Sequence, residues 1–345
     1  MSQLKPSNVP QVLTITGLYS YYNPVWSSDS KSVYVLKNQN MEGAKMRIMR
    51  IDLSEDALSE KEVVKAFNQA TISRDLDFAR SLLKNHQEFI IPSNPHPVSY
   101  SIVKSGTENG RKYVDVEENW AYTANPYYQI KNVRYFLSSS EHGYLIDEMK
   151  DLPGGVEVGE QKDGSISIRK GAGNNTEETL IIKDSIPKEL LPKGDYRIAS
   201  LAYLPKQGQL VFVLQVLQDT AFNQPSSVKV IVYDSKEKSF TLKETVTELA
   251  GMKNIGVENI IVSPNGKFAA LDLFSDDDKE FHTQVLVIDL EQGKNQFLYD
   301  KVANTIVEGT RTHYWDGDRL HFILTSNGQE MNYQWDAARG RLKQP

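Results

Sequence analysis

The sequence predicts an all-β chain, a single closed β-propeller of about six four-stranded blades over residues 1–345, seven being the other count, with one or two short helices in the connections. Three observations predict it. Short Val, Ile, Tyr and Phe runs are separated by Gly, Asn, Asp, Ser and Pro clusters along most of the chain. The order of strands and turns recurs four times, at roughly 50–60 residues between adjacent copies. The third strand of each copy ends in an aspartate, at Asp52, Asp234, Asp289 and Asp336.

The clearest copy runs from Val257 to Tyr299. Ile260-Ile261-Val262 leads through Ser263-Pro264-Asn265-Gly266 to Lys267–Phe274, then Gln284–Leu290, a turn at Glu291–Lys294, and Gln296–Tyr299. The Asn-Gly pair takes the positive φ of a tight hairpin turn at little cost. Val25-Trp26 opens a similar copy, continuing through Ser32–Leu36 and Met46–Leu53. Leu201-Ala202-Tyr203 opens another, with Leu210–Leu214 and Val228–Asp234, and His313-Tyr314-Trp315 a fourth, with Leu320–Leu324 and Met331–Asp336. A four-stranded sheet cannot bury both faces alone, so the repeats are expected to stack, with an aromatic wedge between neighbours. Gln11–Gly17 reads as an outer strand that pairs with the blade around Leu320–Leu342 and locks the ring.

The middle of the chain is read as two degenerate blades between about Ala70 and Ile186, with hairpins in His86–Ser105 and Val133–Met149 and a pair at Ser165–Ile168 and Thr179–Ile182. Residues 54–85 are read as a helical connection. Ser54–Phe67 carries a capping serine and apolar Leu58, Val63, Val64 and Phe67. Ser73–Lys84 places Leu76, Ala79, Leu82 and Leu83 near helical spacing, the other reading being an irregular strand at Phe78–Leu83.

Composition bounds the function. A net charge of −6, with no basic run, argues against nucleic acid and against an anionic membrane surface as partners. The absence of cysteine excludes disulfides, thiolate catalysis and cysteine–zinc sites. No apolar stretch approaches the roughly 18 residues of a membrane-spanning helix. The first ten residues lack the apolar core of a secretory signal. Two locations stay open: the cytoplasm, or the periplasm or cell envelope with a starting methionine in place of a signal, the exported one being preferred. The oligomeric state stays open.

Trp26-Ser27-Ser28-Asp29-Ser30-Lys31 and Val262-Ser263-Pro264-Asn265-Gly266-Lys267-Phe268 resemble the Trp-Ser-Pro-Asp-Gly-Lys blade motif of TolB-like, WD-repeat-like propellers. The first window departs from it at Ser28 and Ser30, where proline and glycine are usual. The resemblance implies a propeller fold; such turns also occur in peptidase propellers and oligosaccharide lyases, so it implies no single activity.

The candidate chemistry is sparse. Asp276, Asp278 and Glu280 alternate in an acidic loop and could begin a calcium site, although the turn glycine is missing and Lys279 intervenes; no other cofactor is expected. The six histidines, His86, His96, His142, His282, His313 and His321, show no helical metal spacing. A Gly-x-Ser-x-Gly elbow and a phosphate-cradling loop are both lacking. Aromatics and amides mark a candidate contact surface: Tyr21, Tyr22, Tyr127 and Tyr128 before inner strands, and Gln218, Phe222 and Asn223 in the long loop after Leu214. The default role of the tyrosines is as wedges between blades. The leading functional reading is a non-enzymatic scaffold that presents one loop face to a protein or peptide. The alternative is a propeller-type carbohydrate lyase or hydrolase with an axial metal or acid/base site.

Overall fold

The recurring strand order of the sequence is realised as antiparallel meanders. The computed structural model describes residues 19–26, 32–39, 47–52, 58–85, 89–123, 125–140, 143–171, 177–191, 195–216, 226–249, 255–277, 280–298, 308–326 and 329–343. For 19–52, 276, 277, 280, 281 and 329 it describes the backbone alone. The chain divides into two compact units, one of Met1–Ile91, Ser105–Val114 and Tyr135–Met149, the other of Pro92–Lys104, Asp115–Arg134 and Lys150–Pro345.

The first unit holds the antiparallel sheet β1 (Tyr19–Trp26), β2 (Ser32–Gln39) and β3 (Arg47–Asp52). It also holds helices α1 (Glu60–Ile72) and α2 (Leu76–Ser81). Helix α1 is capped by Ser59, not Ser54: Ser59 Oγ accepts from Glu62 N at 3.4 Å, and Glu62 Oε2 accepts from Ser59 N at 2.8 Å. This reciprocal box satisfies two otherwise orphaned donors. The helix buries Val63, Val64, Phe67 and Ala70, and the Phe67 ring meets Phe89 and Tyr135 at 5.1 and 5.7 Å. Leu58, expected on that face, precedes the helix and is exposed. Helix α2 replaces the alternative strand, and Leu83 behind it bridges to Ile146.

The degenerate middle forms longer strands than expected: β4 (His96–Glu108), β5 (Arg111–Tyr122), β6 (Asn125–Ser140) and β7 (Gly143–Glu160), neighbours in that order. The boundary between the units falls within all four. The expected hairpin within His86–Ser105 is instead part of one strand, β4, which turns into β5 at Asn109-Gly110 with φ of 50° and 77°. Two consecutive positive φ values are the geometry of a two-residue hairpin turn. Strand β7 continues into β8 (Ile166–Lys170) and β9 (Glu177–Ile181), the pair expected there.

The rest of the second unit is three successive meanders. They are β10 (Tyr196–Leu204) to β13 (Ser239–Val246) through β11 (Gln209–Val216) and β12 (Ser227–Asp234); β14 (Ile255–Val262) to β17 (Asn295–Phe297) through β15 (Phe268–Asp277) and β16 (Glu280–Asp289); and β18 (Gly309–Asp316) to β21 (Arg341–Lys343) through β19 (Arg319–Ser326) and β20 (Gln329–Asp336). Residues Leu210–Leu214 are each 0–1% exposed, so both faces of β11 are covered. A sheet with one wet face would alternate instead. One face is covered by the next repeat, because β14 packs on β10, β11 and β12, as β18 does on β14 and β15.

Each meander opens with the same irregularity. Ala199, Glu258 and His313 are extra residues in the first strands β10, β14 and β18, opposite continuous partner strands. In β1, Asn23 and Pro24 together oppose Val35. Such a bulge bends the strand and increases its twist. The shared position makes the repeat structural as well as compositional.

The aspartates ending third strands close the next turn. Asp234 Oδ1 accepts from Lys236 N and Glu237 N at 2.9 and 3.1 Å, Asp289 Oδ1 from Glu291 N and Gln292 N at 3.0 and 2.8 Å, and Asp336 Oδ1 from Arg339 N at 3.0 Å. The backbone bonds hold the Asp234 carboxyl below its ordinary range. Asp289→Ala is expected to cost about 1 kcal/mol through loss of this turn. Asp289→Asn, which keeps the acceptor oxygen, should recover most of it in chemical unfolding.

Among the described residues β1–β3 and β10–β13 are separate sheets, and the main path of the third runs from β14 to β9 without closing. Gln11–Gly17 lies outside the described residues, and the outer edge of β20 at Gln334–Asp336 carries β21.

Candidate functional site

Of the expected contact residues, Gln218, Phe222 and Asn223 lie outside the described residues, and Tyr21 and Tyr22 belong to β1, whose backbone alone is described. Asp278 also lies outside them. Asp276 and Glu280 sit on the paired ends of β15 and β16, where Asp277 faces Glu280, so strand pairing extends into the segment read as a free loop. Among the described residues no three His, Asp or Glu side chains are grouped to hold a metal ion.

Tyr127 and Tyr128 are consecutive on β6 and, by the period of two, point to opposite faces. Tyr128 is 1% exposed and belongs to the core with Ile130, Val158, Ile166 and Ile168, so it has no surface to present. Burial pushes its hydroxyl pKa up. Tyr127 is half-buried on the other face. Its ring meets Tyr122 edge-on, with centroids 4.9 Å apart at 90°. It also lies over Gly159, where an added Cβ would be 3.6 Å from Tyr127 Cδ2. Burial, then the Glu157 carboxylate, raises the Tyr127 hydroxyl to about 12.

The aromatic pair continues into a polar network on the same face. Gln129 Nε2 donates to Glu157 Oε1 at 2.9 Å, and Arg169 Nη1 donates to Glu157 Oε2 at 3.0 Å. Glu157 and Arg169 are direct cross-strand partners on β7 and β8. Gln161 Nε2 then donates to Ser167 Oγ and Glu177 Oε1, both at 2.6 Å. Each long side chain is therefore held by its neighbour, leaving less rotamer freedom to lose on binding. Sequence reading missed Gln129, Glu157 and Arg169, because their convergence depends on the register of three strands.

A second polar cluster lies between the last two meanders. Asp272 on β15 is 7% exposed; its Oδ1 accepts from Thr312 N at 2.7 Å, and its Oδ2 is bonded to Thr312 Oγ1. Burial pushes its carboxyl up to about 7, against the lowering effect of the Thr312 bonds. In His313, the residue after Thr312, burial holds the imidazole down near 4, aided by His321 and Arg311. His313 is the bulge residue, and it meets Tyr314 edge-on at 5.2 Å. Tyr314 stacks on His321 at 4.2 Å and 13°. His96 and His282 lie at the start of β4 and on β16, whereas His86 and His142 are outside the described residues.

No family model matches the chain, and no curated protein matches it. Among solved structures, a family 117 glycoside hydrolase of the marine bacterium Zobellia galactanivorans is matched at 12% identity and a TM-score of 0.31, over 71% of this chain and 73% of that one. A putative TolB of Agrobacterium tumefaciens is matched at 10% identity and 0.29, over 94% and 80%. Prolyl oligopeptidase B of Galerina marginata is matched at 13% identity and 0.33, over 95% of this chain and 43% of that one, so the chain spans less than half of that enzyme's length. These distances leave both family and activity unassigned.

Proposed function

We propose that the chain is a closed propeller of about six blades that acts as a non-enzymatic binding platform, offering the β6–β8 face to a protein or peptide. One observation carries this reading: the Tyr122–Tyr127 pair runs directly into the Gln129–Glu157–Arg169 network on the face opposite the core. Rigid aromatics supply contact area at low entropic cost, and fixed polar groups beside them select the partner's orientation. Ring closure is supported by the repeated bulge and by the way each of the last two meanders packs on the one before it.

Affinity capture from the native organism tests the binding role. Arg169→Ala and Tyr127→Ala should each reduce the recovered partner at least tenfold, and Arg169→Ala should leave thermal melting within about 1 °C, since its side chain is exposed. Undiminished recovery by both variants removes this face from the account. Turnover of an oligosaccharide by the purified protein would replace the scaffold reading with a carbohydrate lyase or hydrolase.

A further inference from the structure

The seams between successive meanders of the second unit are tied by side chains bonded to the neighbour's backbone. Ser200 Oγ accepts from Ile260 N at 3.2 Å, Ser226 Oγ from Ile255 N at 2.6 Å, and Thr310 Oγ1 from Val285 N at 2.8 Å. These are hydroxyls, indifferent to pH in the physiological range. At one such tie, between the β14–β17 and β18–β21 meanders, the acceptor is a carboxyl. Asp272 holds both the backbone N–H and the hydroxyl of Thr312.

The surroundings of Asp272 are poor for a charge. Its partners in register are Asn259 on β14 and Val285 on β16, both neutral. The charged groups acting on it are Glu258 of β14, which repels an ionised carboxyl, and Arg311 of β18, which attracts one. Arg311 is exposed and is shared with Glu330 of β20 at 3.6 Å. His313, next to Thr312, is also titratable, as are Tyr314, which its ring meets, and His321 of β19, on which Tyr314 stacks. A neutral Asp272 satisfies the geometry fully: Oδ1 accepts from Thr312 N while a protonated Oδ2 donates to Thr312 Oγ1. An ionised one leaves a desolvated negative charge at the seam.

We propose that Asp272 makes this seam a proton-sensitive joint, firm when its carboxyl is neutral and loosened when it ionises. The folded protein keeps the proton up to about pH 7, whereas the unfolded chain releases it near 3.8. The folded state therefore binds more protons across that window, and this group's contribution to stability falls as pH rises through it, levelling off above. His313, lowered from 6.5 to about 4, has the opposite sign in an overlapping window. The test consequently compares variants at each pH rather than reading one curve.

Asp272→Asn keeps an acceptor for Thr312 N and a donor for Thr312 Oγ1 while removing the titration. Its unfolding constant relative to wild type should fall about tenfold per pH unit between pH 4 and 7, then stay constant. A ratio independent of pH would overturn the joint. Carbon-13 labelling of wild-type aspartate carboxyls needs no variant to fold. One carboxyl titrating near pH 7, and shifting downward in Glu258→Gln, supports the proposal; all aspartates titrating below pH 5 would refute it.

Discussion

Trp315→Ala should destabilise the second unit by about 4 kcal/mol, the range for deleting a large buried aromatic. The indole is fully buried, stacks on Phe268 with centroids 6.2 Å apart at 18°, and points Nε1 at Ile261 O at 3.4 Å. Both partners belong to the preceding meander, so the ring is the wedge between two repeats that the sequence leads one to expect. Its loss opens a cavity and leaves neighbouring sheet faces partly uncovered. Trp315→Phe, which keeps much of the apolar volume, should cost about half as much. Urea unfolding followed by circular dichroism measures both; a loss under about 1 kcal/mol for the alanine variant would deny the wedge role.

Asp115→Ala should cost about 3 kcal/mol for a different reason. Asp115 accepts a bidentate pair from Arg134, Nε to Oδ1 at 2.6 Å and Nη2 to Oδ2 at 2.9 Å, with side chains only 6% and 14% exposed. Lys104 approaches Oδ2 at 3.6 Å from a more exposed position. Removing the carboxyl strands a guanidinium in a largely dehydrated site. Replacing both partners, as Asp115→Ala with Arg134→Met, should recover most of the loss, because no buried charge then remains. The Arg134 hydrogen bonds hold the Asp115 carboxyl below its ordinary 3.8. Its stabilising contribution is therefore complete above about pH 4 and disappears as pH falls through the folded value. Acid unfolding of the double variant should begin at lower pH than that of wild type; an identical onset would show that this pair does not limit acid stability.

These two residues differ in how far sequence anticipates them. Trp315 sits at the end of a recognisable first strand, so its place between repeats follows from the period. Nothing local marks Asp115 or Arg134, which lie 19 residues apart on the adjacent strands β5 and β6. The same holds for the candidate face. Tyr127 stood out as an aromatic before an apolar run, but its neighbour Tyr128 looked identical and is buried in the core. Alternation along a strand puts the two on opposite faces without saying which face meets water.

The middle strands were illegible for a related reason. Strand β7 runs for 18 residues with a long exposed centre and buried positions near both ends, so no single period describes it. Its hydrophobic pattern reflects two units, and a pattern reader sees neither.

What the amino-acid sequence determined alone is what residues within five positions of one another can settle. Ser263, Asn265 and Phe268 close their own turn, with Ser263 Oγ donating to Asn265 Oδ1 at 2.7 Å and accepting from Phe268 N at 3.0 Å, while Gly266 takes φ of 73°. The aspartates of the later turns act over two or three residues. Such bonds form wherever the chain reverses, so strand order and turn chemistry could be read in advance. The tertiary structure decided everything that joins distant segments: the Asn265–Asp318 and Gln207–Asn265 links between successive turns, the neutral-range carboxyl of Asp272, and the face shared by Tyr127, Glu157 and Arg169. Burial and register create those properties, and both are set by which strands meet rather than by the residues within any one of them.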